Sequence, residues 1–250
     1  MFRFFRHFRQ KLLKEGRLSK YLIYALGEIL LVMIGILLAL QVNNWNEGRK
    51  AVQEERQILE SISKNLIEDA RYLDKASHRY KLTQANILRF FSPIPIPDDS
   101  LAYVSTRMAG HAKFIPNTSA FTLGINSGKL DLIRDKELLE AIQRFYSFDY
   151  SSLEGIHGSL DRWMDELKNQ SKDHEVFEIR SNSMATNYFD AEYVLPWNIE
   201  NLKKRNQSPG VRAILIQFHI AVDYVTLLYK QLIDKNGALV KRIEGYIHDN

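Results

Sequence analysis

Tyr21–Val42 reads YLIYALGEILLVMIGILLALQV, an apolar run whose only charged residue is Glu28. Thirteen of its 22 residues are Leu, Ile or Val. At about 1.5 Å per residue, a helix of that length reaches about 33 Å, enough to cross the hydrocarbon core of a bilayer. Each Leu, Ile or Val favours insertion by roughly 0.3–0.6 kcal/mol, and a central carboxylate opposes it by about 3. The aliphatic residues outweigh the one acid, so the run is expected to be a transmembrane helix.

Residues 1–20 hold seven bases (Arg3, Arg6, Arg9, Lys11, Lys14, Arg17 and Lys20) against Glu15 alone, whereas beyond the run only Arg49 and Lys50 lie close. That asymmetry directs the N-terminus to the cytoplasm and the chain after Asn43 to the opposite side. A cleaved signal peptide has an apolar core of about 7–15 residues and a small-residue cleavage site. Here the run is longer and continues into QVNNWNEG, with no Ala-x-Ala. An uncleaved signal anchor is therefore expected, with Trp45 seated at the outer interface. In the first segment, Phe4, Phe5, Phe8 and Leu12 fall in an arc of about 100° and the bases occupy the rest. Residues 1–20 are expected to lie against anionic headgroups, each base contributing roughly 1 kcal/mol; the alternative is a solvated topology signal.

The charge excess of +4 belongs to that end: residues 1–20 carry +6 and the run −1, leaving 27 bases and 28 acids in residues 43–250. The exported part is near neutral and offers no footprint for nucleic acid. Cysteine is absent, so neither a disulfide framework nor a thiolate metal site is expected. About 200 residues suffice for one domain with its own core.

Residues 49–91 are free of Gly and Pro and read as one long helix. Steps of seven from Val52 give Leu59, Leu66, Leu73, Tyr80 and Ile87, all apolar, while the companion positions Glu55, Ile62, Asp69, Ala76, Thr83 and Phe90 are mixed. A two-stranded coiled coil wants both sets apolar, so a bundle helix is the better reading. Ser92-Pro-Ile-Pro-Ile-Pro97 ends it. Asp98 or Asp99 is expected to cap a short helix closing near Gly110, and Asn117 or Thr118 another closing near Gly128. A longer helix is expected over about 135–170, capped by Asp135 and weakened at Gly155 and Gly158. Residues 171–208 lack periodicity and are expected to be irregular. Ser208-Pro209 then opens a last helix to about residue 248, with Phe218, Val222, Val225, Tyr229, Leu232, Leu239, Ile243 and Tyr246 as its apolar stripe. At roughly 64 and 60 Å the first and last of these helices match in length, which predicts antiparallel packing. The expected fold is all-α: a transmembrane helix continuing into an elongated helical bundle.

KLLKEGRLSKYLIYALGEILLVMIGILLALQVNNWNE and the later INSGKLDLIRDKELLEAIQRFY resemble two recurring blocks of an uncharacterised family of bacterial single-pass membrane proteins, the domain of unknown function family 6090. Gly27-Glu28-Ile29, Gly35-Ile36 and Asn43-Asn44-Trp45-Asn46 carry the likeness in the first block. The resemblance implies an inner-membrane location with a helical periplasmic domain, and transfers no catalytic residue.

Glu28 is the sharpest candidate for function. It lies seven residues into the run, roughly 10 Å deep, and intramembrane carboxylates usually face a helix partner or cavity. Gly35 and Ala39 fall within about 20° of its face, forming the small-residue strip that close helix contact needs. Glu28, Gly35 and Ala39 are thus expected to form a contact face, for a second copy or a membrane protein partner. Proton relay through Glu28, and a protonated Glu28 bonded only within its own helix, are the alternatives. Tyr188, Tyr193 and Trp197 belong to an aromatic cluster that either covers the end of the bundle or lines a ligand pocket. Glu154-Gly-Ile-His157 has the spacing of a di-iron ligand pair but no second copy, and is expected to be a surface pair. Ser127-Gly128-Lys129 is expected to stop a helix.

No nucleophile elbow, phosphate loop or dinucleotide fingerprint occurs. No catalytic residue, metal or cofactor is expected. The leading expectation is a non-enzymatic, membrane-anchored interaction or scaffold protein. A ligand-sensing module without its own output domain, or a subunit of a proton-driven complex using Glu28, are the alternatives.

Overall fold

The computed structural model describes residues 18–108, 113–176 and 197–249, with side chains from Leu22 onward. Among the described residues every regular element is helical and no strand occurs. Two compact units divide the chain, Met1–Glu55 and Arg56–Asn250. The basic segment 1–20, apart from the helical backbone from Leu18, lies outside the described residues, as do Tyr188 and Tyr193.

Helix α1 runs over Leu18–Phe91 without a break. The Asn-rich junction after the apolar run does not interrupt it. Asn43 Nδ2 donates to Glu47 Oε1 at 2.8 Å one turn on, and the Arg49 guanidinium sits 5.1 Å from the Trp45 ring centroid. Within the first unit, the run from Leu22 has a mean hydropathy of 2.5 with none of its window buried. Its aliphatic side chains stand free: Ile23 is 73% exposed and Leu31 74%.

The second unit has a core of its own. Leu59, Leu66, Leu73 and Tyr80 are fully buried, and Ile87 nearly so. In the companion set Glu55, Ile62, Asp69, Ala76 and Thr83 are buried too, and Phe90 is half-buried. The mixed composition of that set therefore marks buried polar positions at Glu55, Asp69 and Thr83.

Beyond Phe91 come α2 (Asp98–Arg107), α3 (Ser119–Asn126), a 3₁₀ turn (Lys129–Leu132) and α4 (Lys136–Arg144). Then follow a π-helical turn (Phe145–Asp149), a second 3₁₀ turn (Ser151–Leu153), α5 (Glu154–Asp173), α6 (Ile199–Gln207) and α7 (Pro209–Asp249). Helices α4, α5 and α6 all pack on α7. Gly124 marks a close approach, because a Cβ there would lie 2.9 Å from Leu130 and 3.2 Å from Ile58.

Contacts between α1 and α7 run in opposite sequence order. Asn236 Nδ2 donates to the Leu66 carbonyl at 2.8 Å, the Tyr80 and Tyr229 rings meet edge-on at 5.8 Å, and Gln84 bonds Asp223. As α1 advances from 66 to 84, its contacts on α7 retreat from 236 to 223. Asn236 is fully buried and packs within the continuous helix α7, while a Cβ built on Gly237 would meet nothing within 4 Å.

Several local expectations need correction. Pro97 occupies the N-cap of α2, and Asp98 and Asp99 lie in its first turn without a capping bond. Thr118 is the N-cap of α3, while the Asn117 side chain accepts from Ser119 N at 3.2 Å. Asp135 does cap α4, accepting from Leu138 N at 2.9 Å. The helix expected over 135–170 is broken at residues 145–153, before its glycines, and Gly155 and Gly158 sit inside α5. The sequence FYSFDYSS accounts for the break. Ser147 Oγ donates to the Gln143 carbonyl at 2.6 Å and Ser152 Oγ to Asp149 at 2.6 Å, local bonds that bend helices. Residues 171–208 are not wholly irregular: α5 extends to Asp173, and α6 is capped by Asn198, which accepts from Asn201 N at 3.0 Å.

Leu66→Ala removes a fully buried side chain opposite α7 and is expected to destabilise the fold by about 3 kcal/mol. Leu88→Ala, at a side chain 57% exposed, is expected to cost less than about 0.5 kcal/mol. Thermal unfolding of both variants checks the difference.

Candidate functional site

Two places in the described chain are candidates for function, one in each unit. In the first, Glu28 is exposed on α1 and has no partner among the described residues. Nothing lies within 4 Å of a Cβ built on Gly35, and Ala39 is also exposed. The strip expected at Glu28, Gly35 and Ala39 is thus an uncovered face, with Trp45 63% exposed below Arg49.

The second place is built around Asp69, which α1 carries into the core at 4% exposure. Both its oxygens accept from the Asn117 backbone N–H at 3.1 Å, and Oδ2 accepts from the Tyr150 hydroxyl at 2.6 Å. Burial raises the Asp69 pKa above its ordinary value; the bonds from Tyr150 and Asn117 oppose the rise, and the charge of Glu68 adds to it. Burial, then the bond and charge of Asp69, push the Tyr150 hydroxyl far upward.

A second buried bond set lies alongside. Tyr229 Oη accepts from the Phe114 N–H at 3.2 Å and meets His157 Nε2 at 2.8 Å. The Tyr72 hydroxyl donates to the Lys113 carbonyl at 3.0 Å. The strap from Lys113 to Asn117 is therefore held by side chains of α1 and α7. Phe114 inserts between them, its ring 5.5 Å from Tyr150 and 6.3 Å from Tyr229.

Between this strap and the π-helical turn opens a cleft of about 430 Å³. Its apolar walls are Phe114, Ile115, Pro116 and Leu153; Tyr146 and Tyr150 add phenols, and Lys113, Ser151, Glu154 and His157 complete the lining. The Tyr150 N–H bonds back to the Phe145 carbonyl, five residues earlier, at 3.2 Å. Such turns inside helices often mark functional sites. Tyr146 is 8% exposed and stacks on Phe121, centroids 4.4 Å apart. Its hydroxyl is buried with no hydrogen-bond partner among the described residues. Ser151 Oγ donates to the Phe148 carbonyl at 2.9 Å and His157 turns to Tyr229, so these two do not form a nucleophile–base pair.

His157 is 3% exposed, which overturns the expectation of a surface pair with Glu154: the histidine faces the core and the glutamate faces solvent. Gly128 has φ +70° immediately after α3, the left-handed residue of a helix stop. Trp197 is half-buried against a small second core of Leu101, Val176 and Leu202. Beside that core Arg205 is 3% exposed, and burial lowers its pKa to about 10. The sequence reading missed Asp69, Tyr146, Tyr150 and Tyr229 as a cluster. Its one available signal was an acid at a core register position of α1.

Tyr150→Phe strips a donor from a buried carboxylate and is expected to destabilise the fold by about 2 kcal/mol, whereas Tyr146→Phe removes a hydroxyl without a partner and is expected to stabilise by about 1. Urea unfolding of both variants distinguishes the roles of the two phenols. Because the folded pKa of Asp69 is raised, its contribution to stability is complete below the ordinary carboxylate range and is lost as pH rises through the folded value. Asp69→Asn has no such loss. The difference in thermal midpoint, wild type minus variant, is expected to shrink between pH 4 and pH 8.

No curated protein and no solved structure matches the chain. The family model for DUF6090, a family of unknown function, matches residues 28–195, taking in Glu28, Asp69 and the strap, π-helical turn and His157 of the cleft. The chain belongs to that family.

Proposed function

We propose that this protein is a non-enzymatic interaction module anchored in the bacterial inner membrane, with its N-terminus in the cytoplasm and an elongated helical bundle in the periplasm. The apolar run of α1, uncovered along its length, carries this reading. Lipid covers most of such a run. Basic residues on the N-terminal side suit anionic headgroups and fix the orientation. The face of Glu28, Gly35 and Ala39 then supplies contact with a second copy or another membrane protein. Glycine and alanine let helix backbones approach, and a carboxyl at that depth gains from a hydrogen-bond partner.

Ligand sensing is a second reading, supported by the cleft beside the π-helical turn.

Gly35→Leu and Glu28→Leu are each expected to halve, at least, the fraction of protein captured as crosslinked complexes in native membranes. Unchanged capture in both variants would remove the contact face. Alkaline phosphatase fused after residue 250 is expected to be active, and a cytosolic fluorescent reporter there dark.

A further inference from the structure

The cleft between the strap and the π-helical turn has the size of a small-molecule site, about 430 Å³ against the usual range of about 300–1,000 Å³. It also has the composition of one, with mostly aromatic and aliphatic walls and a few polar groups. Two features narrow what it takes. First, the buried hydroxyl of Tyr146 makes no hydrogen bond among the described residues, although its side chain lines the cleft. Native interiors seldom leave such a donor unmade, so an acceptor supplied from outside is the natural complement. Second, the charges named at the rim leave no net positive charge. The Lys113 ammonium lies 3.6 Å from an Asp161 carboxylate oxygen, and Glu154 adds a negative charge on the wall. Nothing there offers an anion net attraction, and the apolar walls disfavour a strongly hydrated ion.

We propose that this cleft binds a small, planar, uncharged molecule bearing a carbonyl group. Its ring lies against Phe114, Ile115, Pro116 and Leu153, and its carbonyl oxygen accepts from the Tyr146 hydroxyl. That hydroxyl has almost no exposed surface of its own and lies on the axis of ring rotation, so the bond requires the whole Tyr146 side chain to turn about its Cα–Cβ bond, giving up its stack on Phe121. Tyr150 keeps its proton on Asp69 and holds the opposite side of the turn in place. The site lies wholly within residues 56–250 and does not depend on the membrane contact face. It rests on the ligand-sensing reading and gives that reading a location and a chemical class.

Benzamide and benzoate test the class, being alike in shape and differing in charge. The full-length protein is placed in lipid nanodiscs with ¹³C-labelled Ile and Leu methyl groups, and each probe is titrated. Benzamide is expected to shift the Ile115 and Leu153 methyl signals saturably, with benzoate at least tenfold weaker. Tyr146→Phe is expected to weaken benzamide at least fivefold while the remaining methyl signals keep their positions, showing an intact fold. Absence of a saturable shift at Ile115 and Leu153 overturns the site. Benzoate binding as tightly as benzamide overturns the uncharged class, and full affinity in Tyr146→Phe overturns the role of the hydroxyl. Failure of the membrane crosslinking leaves all three readouts unaffected.

Discussion

A carboxylate taken out of water must collect donors, and Asp69 collects them from segments far apart in the chain: the Asn117 backbone and the Tyr150 hydroxyl. The strap must come close to α1 to bring Asn117 N–H within 3.1 Å. The helix after Arg144 must also present Tyr150 at 2.6 Å. Tyr229 repeats the device from α7, fixing Phe114 N–H and meeting His157 on α5. Apolar packing alone tolerates sliding. These directional bonds set the strap and the π-helical turn at one separation, and that separation is the cleft.

The π-helical turn shows how a short sequence changes what a helix can present. An uninterrupted α-helix from Lys136 to Asp173 would keep one face toward α7 throughout. The i→i+5 bond from Tyr150 to Phe145 shifts the phase, so that Phe145, Tyr146 and Tyr150 are all buried. Serines bonded to preceding carbonyls stabilise that irregularity locally. The orphan hydroxyl of Tyr146 follows from the same shift: its ring satisfies packing against Phe121, while its donor is left without a local acceptor.

What could be read from the chain beforehand divides along physical lines. The apolar steps of α1 and the stripe of α7 carry a period of their own, and Leu59 through Ile87 and Phe218 through Ile243 are buried as that period implies. Asp135 and Gly128 were readable because caps and left-handed turns depend on residue type at one position. Helix α6 was obscured by its polar composition, since IENLKKRNQ has little apolar period and relies on the Asn198 cap. The cleft was not readable at all, because Asp69, Asn117, Tyr150 and Tyr229 meet only through tertiary packing. Likewise, Glu154 and His157 share a helix and a suggestive spacing, but the helix phase after the π turn sends one outward and the other into the core.

Helices α1 and α7 are both long and apolar enough to cross a membrane, with mean hydropathies of 2.5 and 1.5, yet burial separates them. In α7, 39% of the apolar window is buried, against none in α1. A core helix needs one apolar face, and α7 shows it, with Val222, Val225 and Tyr229 inward and Lys230 and Gln231 outward. The run in α1 is apolar all round. Fully burying one aliphatic side chain is worth roughly 1.5–3 kcal/mol, so thirteen of them left in water forgo roughly 20–40 kcal/mol of burial. In the proposed membrane setting, lipid would satisfy most of that run without specificity, but lipid chains would offer Glu28 no hydrogen bond. That one mismatch, on the same face as Gly35 and Ala39, is why contact with another helix is a more specific expectation there than anywhere else along the run.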